Sequence, residues 1–354
     1  MNVTEWLSAL MRLFLGPLVI SGALTALLIR WAPRLGLVDY PSDRKVHTQP
    51  TPRGGGLAIF VAVTIVFLSP KTPLFPLFQW LLAAGIVLLG LIDDLRPLRW
   101  QLRLAVQLGV SILAVFFCLP PLPWFLRVAS VLWIAGLINA FNMLDNMDAL
   151  SAGVAWIAAG FLAVISWLGS TPTAAAWENY VILMGALSGF LSFNRPPARI
   201  FMGDAGSTFL GFTLGLGSIQ VIAREDASSW SWLMPPCILA VPCYDLLSVV
   251  LLRLSQGRSP FHADKQHLSH RLVGRGLSGG TAVRAIYLLA LASGASGLIL
   301  YAVKDEITAG LVVGQLAAWW IALAVIEFAS KEPSHDTQAA NHDTQAANSG
   351  NPGR

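Results

Sequence analysis

Eleven apolar runs follow one another along this chain of 354 residues, most of them near the length needed to cross a bilayer. They cover Leu10–Ile29, Gly54–Leu68, Leu74–Leu91, Leu102–Leu119, Trp124–Phe141, Val154–Leu168, Trp177–Phe193, Ser207–Ala223, Trp232–Leu252, Ala285–Val303 and Ile307–Phe328. Several fall short of the roughly 20 residues of a straight span, and the run opening on Gly54-Gly55-Gly56 is the weakest. Lipid offers no hydrogen-bond partner to free amides, so the runs should be helices. The expected fold is an all-α polytopic membrane protein with about 11 transmembrane helices. Composition agrees: 55% of residues are hydrophobic and 12% charged, about half the charged share of a soluble domain.

Lys and Arg are unevenly divided between the two sides. Loops after odd-numbered runs, together with the C-terminal tail, carry 18 of the 23. The opposite side holds Arg12, Lys71, Arg127, Arg224 and Lys304. The basic side is expected to be cytoplasmic, which puts the N-terminus in the periplasm and the C-terminus in the cytoplasm. Glu5 precedes a first run long enough to span, which is not the form of a cleaved signal. Residues 1–330 read as one transmembrane domain. Residues 331–354 are polar and duplicate HDTQAAN (His335–Asn341, His342–Asn348), with too little apolar surface to fold, so a disordered cytoplasmic tail is expected. Cys118, Cys237 and Cys243 form no CxxC pair and predict neither a disulfide nor a zinc site. No basic stripe interleaved with aromatics points to nucleic acid.

In so apolar a chain, ionisable groups near span ends are functional candidates. Four clusters follow odd-numbered runs and so share one membrane face. Asp93-Asp94 ends the third run, in GLIDDLRP; adjacent carboxylates need a positive charge nearby and suit a divalent cation. NAFNMLDNMDAL ends the fifth run; on a continuous helix Asn142, Asp145 and Asp148 would stack on one face as oxygen ligands for Mg²⁺. Asp204 lies in RIFMGDAGS, where small neighbours let a ligand approach and the amides opening the next run could meet phosphate. Gly54–Gly56, after Arg53, is either a phosphate cradle or a tight lead-in to the second run.

The fourth cluster lies in PFHADKQHLSHRL. The surrounding loop, Leu254–Thr281, and its edges hold Arg253, Arg258, Lys265, Arg271 and Arg275, with Arg284 just beyond, which fits a cytoplasmic loop beside anionic headgroups. Three histidines within nine residues, His262, His267 and His270, are not explained that way and suit pyrophosphate contact or proton transfer. His47, in the first inside loop, is a candidate to join them.

GLIDD, N-x-x-N-x-x-D-x-x-D, F-M-G-D-A-G-S and the histidine loop, in this order from about Asp39 to Arg271, resemble the polyprenyl-phosphate N-acetylhexosamine-1-phosphate transferases, glycosyltransferase family 4. The resemblance implies an eleven-span fold in the bacterial cytoplasmic membrane with an active site facing the cytoplasm. It implies Mg²⁺, with Mn²⁺ as a substitute, on Asp204, with Asp94 and Asn142 completing the candidate metal set. It implies catalytic roles for Asp93, Asp94, Asn142, Asp145, His267 and His270, and uracil contacts for Asp148 and Phe201. Arg103 and Gln107 match a basic residue and a glutamine of the family, and Arg271 closes the histidine loop, all as substrate-binding candidates. Asp245, in PCYDLLSV, matches a family segment without an evident role. Two departures stand out: Asn146 and Ala149 replace glycines that usually follow the two aspartates, and Ser269 replaces a histidine.

The expected reaction moves N-acetylglucosamine 1-phosphate, or the phosphate of another N-acetylhexosamine, from a UDP-sugar to undecaprenyl phosphate and releases UMP. The lipid phosphate attacks directly, with Asp94 or Asp145 as its base, or an aspartyl intermediate forms on Asp145. Expected partners are the UDP-sugar, undecaprenyl phosphate and the bilayer, with a homodimer as a candidate assembly. A secondary transporter is the rival class, favoured only by Asp245 inside the ninth run. A lipid-binding scaffold without activity is the third, favoured only by Ser269.

Overall fold

Helix occupies each of the eleven apolar intervals, as the lipid argument requires. The computed structural model describes residues 8–9, 11–41, 49–68, 77–169, 175–223, 229–260, 264, 266–303 and 305–328. His47, His262, Lys265 and the duplicated tail lie outside the described residues. The chain separates into two compact units, Met1–Leu316 and Ala317–Arg354. The second begins within the last helix, and the packing and the site below belong to the first.

A wide π-type turn, Met11–Leu15, leads into α1 (Gly16–Leu35). There follow α2 (Gly55–Phe67), α3 (Leu77–Leu95), α4 (Trp100–Cys118), α5 (Trp124–Leu144), α6 (Leu150–Leu168), α7 (Ala175–Asn194) and α8 (Asp204–Ile222). The remainder are α9 (Met234–Ile238), α10 (Ala240–Ser255), α11 (Leu268–Gly274), α12 (Gly279–Ala302) and α13 (Glu306–Phe328). Between α1 and α2, β1 (Val38–Asp39) pairs antiparallel with β2 (Thr51–Pro52), and Arg53 continues as a parallel bridge to Phe201.

Among the described residues, eight helices are long and apolar enough to cross a bilayer: α1 with its leading turn, α3, α4, α5, α6, α8, α12 and α13. Their 19–25 residues correspond to roughly 28–38 Å at 1.5 Å per residue, against a hydrocarbon core of about 30 Å. Three of the expected spans fall outside this group: α2, α7 and the ninth. The 13 residues of α2 reach only about 20 Å, and α7 opens on Glu178 and Asn179, which dilute its apolarity.

The ninth span is not straight as expected. It breaks at Leu239 into α9 and α10, bent by 75°. Pro242 supplies the cause: it lacks the N–H that Ile238 O would accept, and its ring crowds that carbonyl. The bend sets Asp245, in the second turn of α10, fully inside the protein.

The centre of the fold is α8. In its span 89% of residues are buried, against 22% in α4. It packs against α2, α3, α5 and α6. Close approach depends on glycine: Gly206 faces Gly56, and Gly90 of α3 lies against the backbone of Asp204 and Ala205. Outward, Leu27, Phe116, Phe117, Trp124 and Leu132 are exposed, the apolar exterior that lipid contact demands.

A Cβ on residue 90 would stand 2.5 Å from Ala205 N. Gly90→Ala is therefore expected to push α3 off the start of α8 at a cost of about 1–3 kcal/mol. A lowered melting temperature of the detergent-purified protein checks this; an unchanged one would refute the close packing.

Candidate active site

Neighbouring residues on a helix point about 100° apart, and Asp93 and Asp94 are used accordingly. Asp93 faces α4: its Oδ1 accepts the Leu98 amide at 2.6 Å, and its Oδ2 accepts from Arg103. Asp94 faces α8: Oδ1 accepts the Asp204 amide at 3.1 Å and Oδ2 the Ala205 amide at 3.2 Å. Arg53 donates to Asp94 O and brings its guanidinium to 3.7 Å from the Asp94 carboxylate, which is 2% exposed. Gly203, at φ 77°, makes room; a Cβ there would meet Asp94 Oδ2 at 2.6 Å.

This arrangement corrects one sequence expectation and decides another that stood open. Helix α8 starts at Asp204, not Ser207, and its first amides are taken by Asp94 rather than offered to phosphate. The amides of Gly55 and Gly56 donate to Phe201 O and Met202 O at 3.0 and 2.8 Å, so Gly54–Gly56 is a tight lead-in and not a cradle.

Asp204 turns its carboxylate into a small cleft lined in part by Gly90, Asp93, Arg103, Gln107 and Asn142. Asn142 Nδ2 donates to Asp204 Oδ1 at 2.9 Å and to Ser207 Oγ at 3.2 Å. Arg103 Nη1 reaches Asp204 Oδ2 at 3.3 Å, so one guanidinium bridges Asp93 and Asp204. Gln107 Oε1 accepts from Asn139 Nδ2 at 2.8 Å.

The expected helical face of Asn142, Asp145 and Asp148 does not form. Helix α5 ends at Leu144, and residues 145–149 make a turn. The C-terminal flank of that turn is tied down. Asp148 Oδ2 accepts the Ala198 amide at 2.9 Å, the Ala149 amide donates to Asn194 Oδ1 at 2.9 Å, and Tyr287 OH donates to Ala149 O. Ala149 is held at φ 63°, a conformation that L-residues rarely adopt. Asp145, half-buried at the start of the turn, is pushed up to about 8 by burial and then by the negative charges of Asp204, Asp94 and Asp148.

Three carboxylates, Asp93, Asp94 and Asp204, thus face two guanidiniums, Arg53 and Arg103, with Asp145 as a fourth acid beside them. Among the described residues no three His, Cys, Asp or Glu side chains converge as a closed metal cage. Mg²⁺ needs none, since it takes one or two carboxylates and completes its shell with water and phosphate. The surplus negative charge and the hard oxygen donors of Asp204 and Asn142 fit such a cation.

The second half of the site is built on α10 and α11. His267 Nδ1 lies 2.8 Å from Asp245 Oδ2, and the Leu268 amide donates to Asp245 Oδ1 at 2.6 Å. The His270 ring lies 6.3 Å from that of His267, edge to face. Arg271 Nη2 donates to Ser248 Oγ at 2.8 Å and its Nη1 to Gln266 O, which fixes α11 against the loop before it. Arg253 forms a two-pronged pair with Asp264 at 3.0 and 3.1 Å. Burial would raise the Asp264 carboxyl, but the hydrogen bonds from Arg253 and the Gln266 amide outweigh it and hold the group below the usual carboxylate range.

The structure therefore brings Asp93, Asp94, Arg103, Gln107, Asn142, Asp145 and Asp204 together, and sets His267 and His270 on the neighbouring α11. Asp148 and Arg271 tie loops, and the backbone of Phe201 bridges to Arg53. Two residues carry more than their sequence signal suggested. Arg53 stood only in a Pro-Arg-Gly run, and Asp245 stood alone as an acid inside an apolar run.

The sequence pattern of the family described as Glycosyl transferase family 4 matches residues 77–222. A "Probable undecaprenyl-phosphate N-acetylglucosaminyl 1-phosphate transferase" of Bacillus subtilis (strain 168) is 32% identical over 292 residues, 78% of this chain and 81% of its own. A decaprenyl-phosphate N-acetylglucosaminephosphotransferase of Mycobacterium tuberculosis (strain ATCC 25618 / H37Rv) is 31% identical over 342 residues, 83% of each chain. An undecaprenyl-phosphate alpha-N-acetylglucosaminyl 1-phosphate transferase of Salmonella typhi is 29% identical over 281 residues, 74% of this chain and 75% of its own.

Left-handed backbone costs an L-residue roughly 1–2 kcal/mol, most of which glycine avoids. Ala149→Gly is expected to raise stability by up to ~1 kcal/mol, and the β-branched Ala149→Val to lower it by at least as much. Thermal unfolding followed by size-exclusion fluorescence measures both; a Val variant as stable as the parent would refute the strained turn.

Proposed function

The chain belongs to glycosyl transferase family 4, among the polyprenyl-phosphate N-acetylhexosamine-1-phosphate transferases, and on that premise we propose that it transfers N-acetylglucosamine 1-phosphate from UDP-N-acetylglucosamine to undecaprenyl phosphate. UMP is released and a cell-envelope polysaccharide is begun. The observation that carries the reading is the bonded group Asp204, Asn142 and Arg103 in a cleft beside Asp145. The Asp245–His267 pair supports it from the other side. Asp245, paired and fully buried, no longer favours a transporter.

Asp204 and Asn142 would hold Mg²⁺, and Mn²⁺ in its place. When bound, the cation supplies charge neutralisation for the pyrophosphate and the departing UMP. The chain's own residues do the remaining work. Asp94 acts through Asp204: by fixing the first turn of α8 it aims the Asp204 carboxylate into the cleft. Arg103 keeps Asp93 and Asp204 at one spacing while both are charged. Asp145, at the turn that ends α5 beside Asp204, orients the attacking oxygen of the lipid phosphate. That oxygen forms a bond to the β-phosphorus as the bond to the UMP oxygen breaks. Positioning and charge stabilisation carry most of such a reaction. His267, its ring fixed by Asp245, faces the pyrophosphate with His270. The excess of Lys and Arg on the loops at this end supports a cytoplasmic site in the inner membrane.

Purified protein given undecaprenyl phosphate, Mg²⁺ and radiolabelled UDP-N-acetylglucosamine should yield lipid-linked product and UMP. UDP-N-acetylgalactosamine and other UDP-N-acetylhexosamines run in parallel fix the donor, and silence with every donor would sink the reaction class. Asp204→Asn should lower turnover more than about 100-fold. Asp245→Asn should lower kcat about tenfold or more while the donor KM stays near its original value, because it leaves His267 in place but disorients it. Near-normal kcat in either variant would remove that residue from the mechanism.

A further inference from the structure

Asn146 directly follows Asp145, and Ser269 stands between His267 and His270. The two lie 123 residues apart and are bonded: Ser269 Oγ donates to Asn146 Oδ1 at 2.5 Å. Ser269 is 1% exposed, so water does not compete for its hydroxyl. The other end of the Asn146 amide is fixed too, since Nδ2 donates to Met143 O at 2.8 Å. The asparagine side chain thus runs from the last turn of α5 to α11.

The mechanical context gives this bond its weight. Helix α11 has seven residues and follows a loop. Asp245 of α10 holds its start through His267 and the Leu268 amide. These bonds, with those of Arg271 to Ser248 and Gln266, tie the helix to α10 and to its own leading loop, not to the turn that carries Asp145. The bond from Ser269 fixes it a second time, to a different element, the turn that carries Asp145. That turn is itself tied through Asp148, Ala149 O and the Ala149 amide. Two anchors on separate elements set the separation between the histidines and Asp145.

We propose that Asn146 and Ser269 are a pair of positioning residues whose hydrogen bond holds His267 and His270 at a fixed distance from Asp145 during transfer. The inference rests on the transferase reading. It makes the two residues act as one unit, on turnover rather than on donor binding, because the bond touches neither substrate and sets only the spacing of groups that do.

The test is a double-mutant cycle on the full-length protein in the UDP-N-acetylglucosamine assay. Asn146→Ala and Ser269→Ala should each lower kcat about tenfold, the loss expected for about one buried hydrogen bond. The donor KM should change by less than about twofold. The double variant should fall no further than the weaker single, since the second substitution finds the bond already gone. Ser269→Thr, which keeps the hydroxyl, should recover most of the kcat lost in Ser269→Ala. Melting temperatures should stay close to the parent's. Additive losses, losses confined to KM, losses that track the melting temperature, or a Thr variant as slow as the Ala variant would each overturn the inference. Parent protein that transfers from no donor would instead overturn the transferase reading itself.

Discussion

The site depends on one buried carboxylate set against one helix end. Asp94 accepts the first two amides of α8 while Arg53 closes on it from the ribbon side. A buried, unpaired carboxylate would be strongly unfavourable. Here the positive end of a 19-residue helix and a guanidinium offset that cost, and an anion so placed can contribute up to ~2 kcal/mol. Three consequences follow. Gly203 must have no side chain, Gly90 must let α3 reach the start of α8, and Asp204 is aimed away from its own helix into the cleft.

Much of the helical framework was legible in the apolar runs, because lipid leaves the backbone few alternatives. The break at Leu239 was legible too, in Pro242, although hydropathy alone reads straight through it. The end of α5 was not. A helix stop is usually announced by glycine in the left-handed position. Here α5 closes on Asp145 at φ −78°, with no left-handed residue, and the left-handed Ala149 stands instead at the start of α6, so nothing local marked the turn. Reading the helix onward to Asp148 placed Asn142, Asp145 and Asp148 on a face that the chain does not build.

The partners of the acids were the least legible part, for a related reason. Asp94 meets Asp204 across 110 residues, Arg53 meets Asp94 across 41, and Asp245 meets His267 across 22. Residue type and spacing pick out groups that are expensive to bury, but which of them neutralise each other is decided by packing. An arginine in a glycine-rich run and a lone aspartate in an apolar helix each had a local explanation. Only the fold shows them as the counter-ion of one half of the site and the anchor of the other.

Two glycine-rich segments at this end of the molecule spend their amides on the protein: Gly55 and Gly56 on the 201–202 backbone, and the start of α8 on Asp94. Neither of these two remains as a backbone cradle for phosphate, so in the acid half it is the side chains that a phosphate can meet. The two halves of the site are built differently. The acid half is rigid, held by helices that touch through glycine, as suits groups that must keep like charges apart at a fixed spacing. The histidine half sits on a short helix after a bent span and is tied to that span through Asp245 and Arg271. Among the described side-chain hydrogen bonds, the one from Ser269 to Asn146 joins the two halves, so the acid cluster keeps its own geometry whether or not that bond is made, while the spacing of the histidines from Asp145 depends on it.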